Sequence, residues 1–485
     1  MRKFSRLKLS ILLPACVLFG CAHQVDLQRP VETVDIPSDW SLSANDDAQI
    51  WPRSDWWNQL GSAELIELVN QGRANNLEIA AAIARVRQAE SIARIAGAPL
   101  LPNVDLAFDA NRTSPASASD GVPSTSGLLE VGYEVDFWGK NKAGLVAAEA
   151  SLQANRFARE TVALTVTSGI VSTYLQVLSL RDQLVIAKEN VDNAERVLTF
   201  VEAQGRAGAA SSLDLARQRA IVAGRKAEIP NLAQQEREAR IALAVLLGRS
   251  PQSFTVSGQG LGKIMLPEVA PGLPSELLAR RPDIRRAEAN LAAADANVAM
   301  AHATLFPSIT LSGSFGSQSG ALLSLVNTPN LLMNIGAEVV APIFDAGRLK
   351  NQNELALAQK QELLQIYRST VIGAFAEVDN ALGQIHNLAE QSALKRTELE
   401  QARLAFTLSE ARYRAGAEDL MTVLDTQRSL SGVQNELGQL KLKRLKAAVS
   451  LYKTLGGGWV DHTEAVPSKP EKSVAHDRRA LDERL

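Results

Sequence analysis

Arg206-Ala207-Gly208-Ala209 is written a second time in this chain, as Arg414-Ala415-Gly416-Ala417. At the same offset Gly224 meets Gly432, and Leu247-Gly248 meets Leu455-Gly456. A second echo runs at nearly that offset: Leu101-Pro102-Asn103-Val104 matches Phe306-Pro307-Ser308-Ile309, and Val131-Gly132-Tyr133-Glu134-Val135 matches Ile335-Gly336-Ala337-Glu338-Val339. A long internal repeat has to be recognised before a fold is assigned. This one makes the chain a tandem duplication, each half carrying a helix, two strands and two further helices. Length alone, at 485 residues, suggests several domains; the duplication argues for one interwoven body.

Each Arg-Ala-Gly-Ala element closes a Pro-free amphipathic stretch, from Asn141 to about Ala203 and from Arg348 to about Arg414. Some sixty residues at 1.5 Å each reach about 95 Å, and helices of that length need lateral packing throughout. Val371, Phe375, Val378, Leu382 and Ile385 step by four and three, the seam of a coiled coil. The Gly permits a left-handed cap, so the chain is expected to turn and return through 213–248 and 420–455. Pro230 and Gly438 share one repeat position in these return helices and predict a kink or helix junction there. Upstream, 62–98 and 275–305 are Ala-rich and helical, stopped by Pro99, Pro102 and Pro307.

Four segments alternate with period two: 103–113, 128–137, 308–318 and 331–340. Val104, Leu106 and Phe108 lie on one side of the first, and Asn103, Asp105 and Asp109 on the other. Soluble sandwiches alternate in the same way, but so do membrane barrels with a wet interior. On the membrane reading, Asp105, Asp109, Glu134, Asp136 and Glu338 face the lumen and predict a modest cation preference. The loops at 114–127 and 316–330 are rich in Ser, Gly and Pro. Four strands cannot close a barrel, and an open edge cannot sit in lipid. Three chains would supply about twelve strands, enough for a water-filled lumen, so the strand count itself argues for a trimer.

The N-terminus reads as an address. Arg2, Lys3, Arg6 and Lys8 precede a short apolar run that ends in Leu18-Phe19-Gly20-Cys21, which resembles the bacterial lipobox. The alternative is an ordinary signal peptide with an incidental Cys. The resemblance implies removal of residues 1–20 and acylation of Cys21, and Ala22 after it favours the outer membrane by analogy with enteric lipoproteins. Cys16 leaves with the signal, so the mature chain has no disulfide. The expected organisation is then a lipidated extended segment at 21–61, the first repeat at 62–250, a Pro- and Gly-rich linker at 251–274, the second repeat at 275–459 and a charged mobile tail at 460–485. The net charge of −2 and the lack of a basic tract point away from nucleic acid.

Several motifs together resemble one family. They are Trp56-Trp57 with Leu65, Leu68 and Asn76-Leu77; Arg281-Pro282-Asp283-Ile284 with Ala287-Glu288, Leu291 and Phe306-Pro307; Pro342-Ile343-Phe344-Asp345-Ala346-Gly347-Arg348; Val423-Leu424-Asp425 with Gln427-Arg428; and Leu451-Tyr452 with Leu455-Gly456-Gly457-Gly458-Trp459. The set is similar to the outer membrane factors of bacterial tripartite export systems, the TolC-like channels, and within them to the OprM/NodT-type lipoproteins. The resemblance implies an α+β membrane protein, a homotrimer with a twelve-stranded β-barrel in the outer membrane and a coiled-coil helical tunnel in the periplasm. It implies a periplasmic adaptor and an inner-membrane pump of the resistance–nodulation–division (RND) type as partners. No cofactor is expected beyond the lipid on Cys21.

The resemblance also implies site residues. Asp425 matches the family's aperture carboxylate, which in a trimer forms a charged ring that partners such as Arg428 on a neighbouring helix can hold shut. Met421 stands where an apolar ring narrows the tunnel. Asp214 and Arg217 occupy the corresponding turn of the first repeat and could bond across to the gate. TolC itself carries a second Asp where this chain has Thr422, so a doubled acidic ring is not expected. The turns at Arg206, Gly208, Arg414 and Gly416 are where the family meets its adaptor.

No catalytic constellation is present in the sequence. The five histidines show no metal-ligand spacing, and there is no Walker loop, Cys–His pair or HExxH motif, so neither an enzyme nor a metal site is expected. An adhesive outer-membrane coiled coil would need no alternating strands, and a periplasmic adaptor would carry one hairpin rather than two. The cargo is not legible.

Overall fold

The computed structural model describes residues 36–41, 51–113, 122–267, 272, 274–320 and 331–459. Cys21, the signal peptide and the tail at 460–485 lie outside these residues. The chain divides into two units that cut across the repeats. The first includes 90–151 and 290–364, and the second includes 31–89, 152–289 and the chain from 365 onward. Each repeat therefore contributes to both units, so 62–250 and 275–459 are sequence repeats and not separate bodies.

The first unit holds one antiparallel sheet in the order β1 (Asn103–Thr113), β2 (Val122–Glu134), β3 (Ser308–Ser319), β4 (Leu331–Val340). β2 pairs with β3, so the sheet joins the repeats. The register sets Asp105 opposite Glu130, Glu130 opposite Ser314, and Ser314 opposite Asn334. Residues directly opposite share a face. One face thus carries Asp105, Asp109, Glu130, Glu134 and Glu338, and the other Val104, Leu106, Phe108, Leu129, Val131, Ile309, Leu311, Phe315, Ile335 and Val339. The large apolar side chains of the second face are exposed in the single chain wherever Val104, Leu106, Phe108, Ile335 and Val339 stand. β2 differs from the expected 128–137. It starts at Val122, because Ser124, Thr125 and Ser126 are polar on both faces and hide a strand that pairing with β1 reveals. It ends at Glu134 because Asp136 turns away to serve the next helix.

Two helices leave the sheet: α3 (Lys140–Arg206) and α7 (Arg348–Arg414). Their starts are built alike. The Asp136 carboxylate accepts from Asn141 N (2.9 Å) and Lys142 N (2.8 Å), next to Gly139 at φ 75°. The Asp345 carboxylate accepts from Gly347 N (3.0 Å) and Leu349 N (2.9 Å), next to Gly347 at φ 82°. Each carboxylate satisfies amides that a helix start leaves unbonded.

The return helices are α4 (Ser212–Leu246) and α8 (Leu420–Thr454). Both run unbroken past Pro230 and Gly438, so no helix junction forms at either. Pro230 is exposed, and the surrounding turns hold the helix across its missing amide. Before the strands, the expected single helices are split. Ser62 caps α1 (Ala63–Asn75) through Leu65 N (3.2 Å), and Asn76 then takes an extended ψ of 131° before α2 (Leu77–Gly97). In the second repeat α5 (Leu277–Arg280) stops at Arg281, ψ 120°, before α6 (Pro282–Ala303). The residue before a proline disfavours helical backbone, and Asn76 takes the same conformation without one.

Two apolar cores of the second unit repeat one another. In the first, Val166, Ile170, Val171, Tyr174 and Leu178 of α3 pack with Leu65 and Val69 of α1, Leu243 and Leu247, and Trp56 and Tyr452, whose rings stack at 4.8 Å. In the second, Tyr367, Val371, Phe375, Val378 and Leu382 of α7 pack with Leu277, Ile284, Leu451, Leu455 and Trp40. The segment after α4 is pinned to the first core. Glu64 accepts from Ser257 Oγ (2.7 Å), Gly258 N (2.9 Å) and Tyr174 Oη (2.9 Å), and Asp182 accepts from Leu261 N (2.8 Å).

Candidate functional site

The helical tips form the first candidate site. α3 ends with Arg206, and Gly208 follows at φ 76°; α7 ends with Arg414, and Gly416 follows at φ 72°. Ala209 N donates to Gln204 O (2.8 Å) and Gly208 N to Gly205 O (3.1 Å). Ala417 N donates to Arg412 O (2.9 Å) and Gly416 N to Tyr413 O (3.0 Å). These are two copies of one Schellman cap, which needs a left-handed residue at its centre. A Cβ added at either Gly would meet no atom within 4 Å, so both turns are bare. Arg206 and Arg414 are exposed, and Arg414 is bonded to Glu410 (2.7 Å).

The helix that follows each turn is capped by one device with its residues exchanged. At α4 the Ser211 hydroxyl accepts from Asp214 N (3.1 Å), and the Asp214 carboxylate accepts from Ser211 N (3.1 Å) and Ser211 Oγ (2.7 Å), a complete capping box. At α8 Asp419 takes the place of Ser211 and accepts from Thr422 N (2.8 Å) and Thr422 Oγ1 (3.0 Å). The Ser211 hydroxyl holds the Asp214 carboxyl below the usual range, and the Thr422 amide does so for Asp419. Asp214 is therefore spent on its own helix, not on the cross-helix bond expected of it. Thr422 is spent in the same way.

Arg217 does reach across. Its Nη1 lies 3.2 Å from Met421 Sδ, linking α4 to α8. Tyr413 Oη donates to Gln204 Oε1 (2.7 Å) and its ring meets Phe200 edge-on at 5.4 Å, linking α7 to α3. Val197, Val201, Phe406, Tyr413, Leu420, Val423 and Leu424 are buried between these links, with Leu215 and Ile221 packed against them. The two hairpin tips of one chain thus share a core. Asp425 and Arg428 stand outside it on the exposed side of α8. Neither side chain has a hydrogen bond or ion pair among the described residues. Met421 is half-exposed, at 47%.

The polar face of the sheet is the second candidate site. It brings together Asp105, Asp109, Glu134 and Glu338, as expected, and adds Glu130, which the repeat comparison passed over. Asp105 and Glu130 are directly opposite, an unfavourable like-charge pair in most sheets. Asn103 Nδ2 donates to Asp105 (2.7 Å), and Lys140 pairs with Glu134 (2.5 Å). Asp136 is not on this face: it lies beyond β2 and caps α3. Among the described residues no group of three or more His, Cys, Asp or Glu side chains is arranged to hold a metal ion.

The outer membrane efflux protein family model matches residues 68–249 and 273–457, one segment per repeat. The chain is 43% identical over 470 residues to the pyoverdine export outer membrane protein OpmQ of Pseudomonas aeruginosa, covering 94% of this chain and 98% of that protein. It is 31% identical over 466 residues to the cation efflux system protein CusC of Escherichia coli O6:H1, covering 92% and 98% respectively. The solved outer-membrane channel OprN matches with a TM-score of 0.81 at 27% identity, over 88% of this chain and 98% of that one.

Proposed function

The chain belongs to the outer membrane efflux protein family, and on that footing we propose that its paired helical tips receive a periplasmic adaptor and that its α8 carboxylates gate the exit. The coarser frame is firm. The protein is an outer-membrane efflux channel, a trimer whose four-stranded sheets complete a twelve-stranded barrel and whose helices form a tunnel. It works with an efflux pump, and its family is a channel family rather than an enzyme family.

The observation that carries the docking proposal is the duplicated bare turn. Two identical Schellman caps with open space at Gly208 and Gly416 give each chain two equivalent, sterically accessible points. An adaptor with several copies per trimer suits that repetition, and a pump of the RND type is the partner beyond it. Asp425 and Arg428, exposed and without a partner among the described residues, support the reading that they meet the neighbouring copy and close the mouth. Cys21 carries the lipid that holds the N-terminus at the membrane. No reaction is catalysed; cargo moves down the gradient that the pump creates.

A photo-crosslinking residue at Ala415 tests the docking. It should capture a periplasmic protein encoded beside the pump, and residues on the exposed flank of α4 should not. Capture from the flank alone would move the adaptor away from the tips. A second reading concerns cargo. The 43% identity to a protein named for pyoverdine export exceeds the 31% identity to one named for cation efflux, which favours a pyoverdine-type cargo. Restored pyoverdine secretion in a strain lacking its own export channel would support it, and failure with normal expression would remove it.

A further inference from the structure

The seam between β2 and β3 shows how the duplication closes one strand pair onto the next. Past the end of β2, Val135 N donates to Ile309 O (2.8 Å), and the chain then presents Phe137 and Trp138. The Trp138 ring stacks on Phe306 with centroids 4.7 Å apart, and its Nε1 donates to Pro307 O (2.7 Å). Phe137 packs edge-on against Trp138 at 4.8 Å. An apolar pair that ends one strand thus clamps the Phe-Pro that begins the following strand.

The chain carries a second pair of such groups, one in each repeat, without bringing them together. Leu101-Pro102 is the repeat partner of Phe306-Pro307 and leads into β1. Ile343-Phe344 lies between the end of β4 and the Asp345 cap of α7, whereas Phe137-Trp138 lies between the Asp136 cap and α3, so both apolar pairs stand in the strand-to-helix link but on opposite sides of the capping carboxylate. Within one chain these groups have nothing to cover them: Ile343 is 92% exposed, Phe344 89% and Leu101 70%. β1 and β4 are the two edges of the sheet. In the closed barrel the edge strand β4 of one chain meets β1 of the next. The strand ends that carry Ile343-Phe344 and Leu101-Pro102 are then brought together by the same antiparallel geometry that unites β2 and β3.

We infer that Ile343 and Phe344 of each chain clamp Leu101 and Pro102 of a second copy of this chain, repeating across the subunit boundary the Trp138–Phe306 clamp within it. The inference rests on the trimeric reading and adds the register. Carrying the β2–β3 pairing through the repeat sets Val340 opposite Asn103 of the neighbouring copy and Val339 opposite its Val104. The open foot of every sheet is covered, and six like seams alternate around the ring, three within chains and three between them. Apolar side chains this exposed at a sheet edge are otherwise an association hazard, and the ring removes it.

The test is a disulfide between full-length copies. In Leu101→Cys/Phe344→Cys protein, oxidised in isolated outer membranes, a boiled non-reducing gel should show covalent dimers and trimers that collapse on reduction. Each single variant should stay monomeric under the same treatment, although both keep Cys21. Native mass of the unoxidised double variant in mild detergent separates the outcomes. Trimers that do not crosslink, with Phe344→Cys open to a soluble or lipid-phase thiol reagent, would overturn the clamp and leave the trimer standing. Monomers from the wild-type chain would remove the trimeric reading itself. If the double variant alone fails to assemble, Val340→Cys/Asn103→Cys puts the same register to the same gel: crosslinked trimers uphold it and uncrosslinked trimers overturn it.

Discussion

Arg281 Nη1 donates to the carbonyl of Thr454 at 3.0 Å, tying the break before α6 to the last residue of α8. Asn76 does the same in the first repeat, where its Nδ2 donates to Leu246 O at 2.8 Å, the last residue of α4. The Arg-Pro-Asp-Ile motif is thus a structural staple. Arg281 also pairs with Asp283 (2.6 Å) and Glu377 (2.8 Å) while its own side chain is only 9% exposed. Hydrogen bonds to charged groups are worth about 1.5–3 kcal/mol each and neutral ones about 0.5–1.5 kcal/mol, and against the charged set of Arg281 the Asn76 side chain makes only neutral bonds, its Oδ1 also accepting from Glu78 N (2.9 Å) and Ile79 N (3.1 Å). We predict that Arg281→Ala lowers the melting temperature more than Asn76→Ala, measured by calorimetry on detergent-solubilised trimers. Equal losses would mean that the charge adds nothing to the staple.

The same staple makes stability depend on pH. Burial alone would raise the Asp283 carboxyl, but the hydrogen bonds and charge of Arg281 outweigh it and hold the group below its ordinary 3.8. A carboxylate depressed in the folded state stabilises the fold above its unfolded pKa and loses that contribution as pH falls through the folded value. Melting temperature should therefore fall as pH drops below about 4. In Asp283→Asn the curve should be lower at neutral pH and flatter in acid. A variant curve parallel to the wild type would assign the acid sensitivity to other groups, with Glu64 and its Ser257 bonds the next to examine.

Four left-handed glycines end the long helices, yet they differ in what surrounds them. A Cβ at Gly416 meets open space, whereas one at Gly456 would sit 2.1 Å from Arg280 O and one at Gly248 2.4 Å from Asn75 O. A left-handed non-Gly residue costs about 1–2 kcal/mol by itself. Gly416→Trp should thus fold and assemble as trimers while failing to restore export in a deletion strain. Gly456→Ala should lose assembled protein altogether. Normal resistance from Gly416→Trp would take the tip out of the docking surface.

How much of this was legible in the sequence follows from the physics of each part. The turns at Gly208 and Gly416 are legible because only glycine takes that backbone cheaply, and β4 is legible because Asn334, Gly336 and Glu338 alternate with Met333, Ile335, Ala337 and Val339. The start of β2 is not legible because Ser124, Thr125 and Ser126 give no contrast between faces. The period-two pattern continues through Asp136 and points it to the lumen, although its carboxylate belongs to a helix. The Asp419 cap was legible in principle from its spacing to Thr422, which repeats Ser211 and Asp214. The Arg217–Met421 and Tyr413–Gln204 links were not legible, because they depend on which helix faces lie together.

Asp425 and Arg428 have no partner among the described residues, and on the proposed gate their partners belong to another copy. A ring of such groups at a narrow mouth both binds cations and holds the helices together. Asp425→Ala should raise single-channel conductance in planar bilayers, and Arg428→Ala should do so as well if the two pair between copies. The difference from wild type should shrink at 1 M salt, where screening acts within about 3 Å. Unchanged conductance in both variants would place the constriction elsewhere.

Selectivity separates the two kinds of acidic residue at the sheet. Asp105, Asp109, Glu130, Glu134 and Glu338 share the face opposite the apolar one, and in a membrane the apolar face must meet lipid. On that premise the acidic face is predicted to line the pore, and Lys140 pairs only with Glu134 among its members. Reversal potentials across a salt gradient should show a preference for cations, reduced in Glu130→Gln and further in Asp105→Asn/Glu130→Gln. Removing the facing charges of Asp105 and Glu130 should not weaken the sheet, since like charges directly opposite are unfavourable. Asp136→Asn should give the reverse pattern. Its two oxygens accept from Asn141 N and Lys142 N, so the amide keeps one of these bonds and loses the charge at the helix start, which should cost about 0.3–1 kcal/mol of stability and leave the reversal potential where it was. A shift in selectivity from Asp136→Asn would return that residue to the pore.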